Sequence, residues 1–192
     1  MTSIHLDFKG PLSLITPTKS VFDPQYESSG GIYLWTIRQS TDGCYLIHYI
    51  GETSDLAGRH RTHLTEVLGL NYGIFDPEKA QEGVCELLWP GMWRDKSSEA
   101  NVRRIEAYDM LREKIMEYLS VVSVFFAEYN TDRGTRRMIE SAIGWNLRNK
   151  HREATVLYPD DNRIDPLVKP NRGELIITSE LKIQGLDAKI LF

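Results

Sequence analysis

Residues Gly31 to Leu64 read GIYLWTIRQSTDGCYLIHYIGETSDLAGRHRTHL. Within this stretch Ile32–Arg38 and Cys44–Ile50 are apolar on both alternating faces. Ile32, Leu34 and Thr36 fall on one side of the first run, and Tyr33, Trp35 and Ile37 on the other. Strands of that kind belong inside a sheet that is covered by other elements. Between them, Gln39 to Gly43 ends in Asp-Gly, a turn signal that predicts a hairpin. Gly51 then allows a tight exit into a helix. Thr53 or Ser54 is the predicted N-cap, and Asp55 suits the helix's positive end. Leu56, Leu64, Val67 and Leu68 supply an apolar stripe, while Arg59 and His63, four apart, share a face.

Working outward, residues 1–29 carry Pro11, Pro17 and Pro24 and little periodicity. They read as an N-terminal arm with at most a short strand near Ser3 to Phe8. Residues 69–96 are broken by Asn71, Gly73, Pro77, Gly83, Pro90 and Gly91 and read as an insertion, anchored by Trp89, Met92 and Trp93. Ser97 to Leu119 predicts a helix, with Val102, Ile105, Met110, Leu111, Ile115 and Leu119 near helical spacing. Val121 to Tyr129 is a third strand, rich in β-branched and aromatic residues. Asp132 or Thr135 caps a further helix that turns Met138, Ile139, Ala142, Ile143 and Leu147 inward. Beyond Lys150, Tyr158 to Pro170 reads as a loop, and Glu174–Ile183 and Ala188–Phe192 as short strands. The expected fold is α/β of the α+β type. Its core, residues 30–152, is a central three-stranded sheet flanked by helices, and residues 153–192 form a β-rich extension.

With 192 residues and a hydrophobic fraction of 41%, the chain can bury a sizeable core. No apolar run is long enough to span a bilayer. The start, MTSIHLDFKG, has neither the basic residues nor the apolar block of a secretory signal. Cys44 and Cys85 have no metal-ligand spacing, and the former reads as a buried strand thiol. A cytoplasmic protein is expected. The net charge of −4 does not advertise nucleic-acid binding. Phosphate contacts need only one positive face, however, and Asp132 to Arg152 holds six basic residues against two acidic ones.

Cleaving a phosphodiester requires a deprotonated water, a neutralised phosphate oxygen and a stabilised leaving oxygen. Arginine suits the phosphate because its planar fork binds two oxygens and keeps its charge. A carboxylate holds a hard divalent ion such as Mg²⁺. A phenol beside that cation and a histidine can act as a base. Tyr33, Tyr49, Arg59, His63 and Glu140 supply these roles between them. Singly, each has a plainer reading: tyrosines as strand packing, Arg59 and His63 as solvated helix surface, Glu140 as a helix ion pair worth a few tenths of a kcal/mol. The conjunction carries the argument.

Gly31-Ile32-Tyr33, then Tyr49-Ile50-Gly51, then Thr53 or Ser54, Leu56, Arg59 and His63 resemble the GIY-YIG nuclease family over roughly residues 30 to 150. The register of that resemblance selects His63 over the adjacent His60. It also matches the family's metal-binding glutamate, on the last core helix, to Glu140. By resemblance the chain is a stand-alone endonuclease acting on DNA with one Mg²⁺ or Mn²⁺ on Glu140. Tyr33 would be the general base, relayed by His63, with Arg59 on the scissile phosphate and Tyr49 lining the site. Arg61, Arg136 and Arg137 are the expected nucleic-acid contacts.

The resemblance has gaps. A family asparagine some twelve residues after the glutamate falls here on Arg152, leaving Asn149 and Asn162 as candidates. The appended DNA-recognition modules of homing endonucleases are missing, so selectivity is expected from the arm, the insertion or the tail. One such site cuts one strand, so a concerted double-strand break would need a homodimer. The alternative reading is a catalytically silent nucleic-acid-binding or regulatory protein on the same fold.

Overall fold

A computed structural model describes residues 2–92, 95, 97–158 and 173–192. At its centre β2 (Gly31–Arg38) runs antiparallel to β3 (Tyr45–Thr53), and every residue of β2 except Arg38 is buried. Asp42 closes the turn, its Oδ1 accepting the Cys44 N–H at 2.9 Å, and Gly43 takes the left-handed φ of 72°. The register sets Tyr33 opposite Gly51 and Trp35 opposite Tyr49. A bulge then pairs Thr36 with Ile47 and leaves His48 as the extra residue. The glycines at the strand ends have a steric cause. A Cβ on Gly51 would overlap the Tyr33 phenol, and one on Gly31 would overlap the Ala127 carbonyl.

β6 (Val122–Glu128) pairs antiparallel with β2 on its other side, so the three expected strands adjoin in the order β3-β2-β6. The sheet does not stop there. β1 (Thr2–Ser13) pairs antiparallel with β6 and parallel with β7 (Gly173–Ser179). β9 (Lys189–Leu191) closes that edge, and β8 (Ile183–Gln184) pairs with β3 at the other. The result is one seven-stranded sheet of a mixed α/β protein, ordered β8-β3-β2-β6-β1-β7-β9.

Two sequence expectations are thereby corrected. The N-terminal segment is no arm but an interior strand of twelve residues. It burdens no ladder with Pro11, because the register shifts between Lys9 and Leu12 where the proline falls. The C-terminal segment is no appendage either, since its strands occupy both edges of the main sheet.

Its connections force the sheet to curl. Four residues lead from Ser179 to Ile183 and reach at most about 14 Å. In a flat sheet, β7 and β8 would stand five strand spacings, roughly 24 Å, apart. Helix α4 (Arg133–Lys150) packs across β2, β3 and β9, burying Ile139, Ala142, Ile143 and Leu147. Asp132 caps it, accepting the Thr135 N–H at 3.0 Å.

Helix α1 (Leu56–Leu68) follows β3 directly. Its N-cap is Asp55, which accepts the Gly58 N–H at 3.0 Å, and Thr53 instead braces the cap by accepting the Asp55 N–H at 2.9 Å. Leu56 and Val67 are buried, whereas Leu68 faces out. Within residues 69–92 lies a small hairpin, β4 (Ile74–Phe75) with β5 (Leu87–Trp89), around the short helix α2 (Pro77–Gln81). Trp93, expected as an anchor there, lies outside the described residues, as does most of the Tyr158–Pro170 loop. Helix α3 (Ser98–Val121) buries Ile115 and Leu119 but turns only Ala100 and Ala107 inward along its first half. Val102, Ile105 and Met110 are therefore exposed. Among the described residues no helix is long and apolar enough to cross a membrane.

Candidate functional site

Strand pairing lays the Tyr33 ring over Gly51, and the capped first turn of α1 fixes what meets it. Arg59 Nε donates to Tyr33 Oη at 3.2 Å, and His63 Nε2 lies 2.7 Å from the same oxygen. One helical turn thus brings the guanidinium and the imidazole to a single phenol. Tyr49 stacks beside it, ring centres 6.0 Å apart and planes 26° off parallel. Behind them His60 is fully buried, its Nδ1 on the Leu56 carbonyl at 2.9 Å and its Nε2 accepting the Trp35 indole N–H at 2.9 Å. Both ring nitrogens of His60 are therefore engaged, Nδ1 within α1 and Nε2 tying that helix to β2.

In front of this layer lies a polar cleft of about 250 Å³ lined by Tyr49, Glu52, Arg59, Arg133, Arg137, Glu140 and Ser141. The five expected site residues thus meet in two tiers. Tyr49, Arg59 and Glu140 line the cleft, while Tyr33 and His63 are buried behind Arg59. Arg59 is the side chain common to both tiers.

Burial dominates the protonation states. It pushes the Tyr33 phenol well above its ordinary range, reinforced by Tyr49 and opposed by Arg59. It pushes His63 down to about 2, with Arg59 and His60 adding to the effect. For Arg59 burial works against the charge, yet the Tyr33 and Tyr49 oxygens hold its pKa above the usual value. At neutral pH the buried tier is uncharged apart from the guanidinium that faces the cleft.

Comparison with known proteins gives no match: no family model, no curated protein and no solved structure aligns with the chain.

The site must therefore be judged on its own chemistry, a divalent ion included. Among the described residues no three His, Cys, Asp or Glu side chains converge. Mg²⁺ does not demand such a cage, since it commonly takes one or two carboxylates and completes its shell with waters and substrate phosphates. Glu140, a hard oxygen donor in a polar cleft beside Arg59, fits that habit.

Several expected contacts lie elsewhere. Arg136, expected to face nucleic acid, is only 7% exposed. Its Nε donates to Glu52 at 3.0 Å and its Nη1 to the Thr131 carbonyl. It is a strut and not a surface contact, because a cation that deep needs a carboxylate partner. Arg61 is exposed away from the cleft lining, 5.8 Å from the Phe22 ring centre, whereas Arg137 does line the cleft. Asn149 is exposed and donates to the Trp145 carbonyl at 2.8 Å, and Asn162 lies outside the described residues. Sequence reasoning passed over Glu52, which bonds both Arg133 and Arg136, and Tyr72, which meets His63 Nδ1 at 3.2 Å. A carboxylate ending an apolar strand was the one signal for Glu52. Tyr72 left none, because only the path of the insertion brings it to the helix.

Proposed function

We propose that this chain is a metal-dependent endonuclease of the GIY-YIG type that hydrolyses phosphodiester bonds in DNA. The observation that carries the reading is the double engagement of Arg59. Its Nε is bonded to the buried Tyr33 phenol, and its side chain lines the cleft that holds Glu140. A phosphate seated against Arg59 would therefore lie next to the carboxylate and directly in front of the tyrosine.

In this reading Arg59 binds the scissile phosphate and balances the charge that builds on it. Glu140 would hold the divalent ion, which when bound supplies a Lewis acid for the phosphate and lowers the pKa of water and of the nearby phenol. Tyr33 accepts the proton of the attacking water, and His63 Nε2, 2.7 Å away, receives the proton that Tyr33 gives up. Tyr49, on the cleft wall, orients the phosphate or the water. Arg133 and Arg137 extend the positive lining toward the neighbouring phosphates.

The net charge of −4, unusual for an enzyme that acts on a polyanion, keeps a second reading alive: a catalytically silent nucleic-acid-binding or regulatory protein on the same framework. A plasmid-nicking assay separates the two. Metal-dependent nicking in Mg²⁺ or Mn²⁺, lost in EDTA and in both Glu140→Ala and Arg59→Ala, supports the enzyme. DNA binding with equal residual nicking in all three proteins favours the binding module, and neither binding nor cutting rejects both.

A further inference from the structure

The neutral His63 imidazole carries one proton, and the structure supplies a partner for each ring nitrogen: the Tyr33 hydroxyl at Nε2 and the Tyr72 hydroxyl at Nδ1. Which nitrogen is protonated decides what His63 can do for Tyr33. With the proton on Nδ1, Nε2 is an acceptor for the Tyr33 O–H. With the proton on Nε2, His63 only donates to Tyr33, and no proton can leave the phenol that way.

Three observations favour the first arrangement. The Tyr33–His63 separation of 2.7 Å is that of a hydroxyl donor, whereas the 3.2 Å from Nδ1 to Tyr72 fits a longer N–H···O bond. Arg59 Nε already donates to Tyr33 Oη, so this oxygen is supplied with a donor and its own proton needs an acceptor. Tyr33 is wholly buried, so that acceptor is a protein group, and His63 Nε2 at 2.7 Å and the Tyr49 oxygen are the two within its reach.

Tyr72 is also held firmly enough to impose a choice. The turn before it uses Leu70 at φ 57°, and the Leu70 carbonyl accepts the Trp89 indole N–H at 2.7 Å. The Asn71 carbonyl accepts the Met92 N–H at 3.0 Å, while Gly91 leaves no room for a Cβ beneath it. The second strand of the insertion thus pins the turn that carries Tyr72.

We propose that Tyr72 is a positioning residue that fixes His63 as the Nδ1-protonated tautomer, leaving Nε2 open to the Tyr33 hydroxyl. The insertion is then part of the catalytic apparatus. As the attacking water gives a proton to Tyr33 Oη, the phenol's own proton passes to His63 Nε2 and the Nδ1 proton passes toward Tyr72 Oη. Tyr72, half-exposed, sheds a proton to solvent. One proton enters the chain and one leaves, so Tyr33, His63 and Tyr72 each end neutral. This role in catalysis rests on the nuclease reading, but the tautomer does not.

The test is ¹⁵N correlation spectroscopy of the His63 ring at neutral pH in the full chain, assigned with His63→Gln. The wild type should show Nδ1 protonated and Nε2 bare, and Tyr72→Phe should lose that preference. In the nicking assay Tyr72→Phe should lower kcat about tenfold with KM little changed, the usual scale for losing the group that orients a histidine. A wild-type ring protonated at Nε2, or an unchanged tautomer in Tyr72→Phe, overturns the proposal. The wild-type spectrum can overturn the proposal even if the variant does not fold. Absence of nicking by the wild type would reject the nuclease reading while the spectrum still judges the tautomer.

Discussion

At Gly51 a methyl group would occupy the space of the Tyr33 phenol, and the ring's seat is what aims its oxygen at Arg59 and His63. Gly51→Ala should therefore act on site and stability together. Overpacking of this kind costs about 1–3 kcal/mol, and nicking should fall with it. Unchanged melting and unchanged rate would mean that the ring does not sit over the glycine. Arg59 poses a sharper question, because lysine keeps the charge and loses the fork. Arg59→Lys cannot hold Tyr33 Oη and a phosphate at once, and the loss should approach that of removing a transition-state donor, on the order of a hundredfold in kcat. Single-turnover nicking near the wild-type rate would show that one point charge suffices.

Glu52 and helix α4 illustrate what an element contributes. Arg133, Arg137 and Glu140 all present themselves to the cleft from one helix, and that helix is latched to β3 by Glu52. The two bonds differ in kind. The Arg133 side chain is 76% exposed and its pairing with Glu52 is worth little, whereas the Arg136 side chain is 8% exposed and depends on it. Glu52→Ala should destabilise the fold by about 3 kcal/mol, since it strands a buried cation, and adding Arg136→Met should recover most of the loss. Urea midpoints for the single and double variants test this, and additive losses would exclude the coupling. On α1 the Asp55 cap is exchangeable at a smaller cost: Asp55→Ala should lower stability by about 1 kcal/mol. Both helices begin on an aspartate, as expected for Asp132 on α4 but not for α1, where Thr53 or Ser54 is the predicted cap. The structure chose Asp55 over Thr53 and Ser54 because the threonine is engaged in bracing that aspartate.

For the molecule as a whole, the three buried histidines set an acid limit. Burial pushes His48 to about 3, His60 to about 4 and His63 to about 2, against an unfolded value of 6.5. Below 6.5 the unfolded chain therefore binds protons that the folded chain refuses. Stability should be insensitive to these groups above pH 6.5 and fall beneath it. Each histidine contributes about 1.4 kcal/mol per pH unit, until its folded pKa between about 4 and 2 is reached. Urea denaturation at pH 7.5, 6 and 5 measures the slope, and a flat profile would place the imidazoles in water. The tail supplies a second prediction at this scale. Removing residues 173–192 uncovers one edge of β1 and one of β3, so the shortened chain should be recovered aggregated and not as a folded core.

The hairpin and the helix behind it could be read from residues alone, because unbroken apolar runs, an Asp-Gly turn and an apolar helical stripe are local patterns. Spacing of four puts Arg59 and His63 on one face, whereas Tyr33 joins them only through the family resemblance. Nothing local could tell that Thr2–Ser13 is an interior strand, since Pro11 masks it and its partners lie more than a hundred residues away. The curl of the sheet, the burial of Arg136, the latch of Glu52 and the approach of Tyr72 to His63 were likewise decided in three dimensions. In each case the deciding energy is a contact between segments remote along the chain, and such a contact leaves no periodicity in either of them.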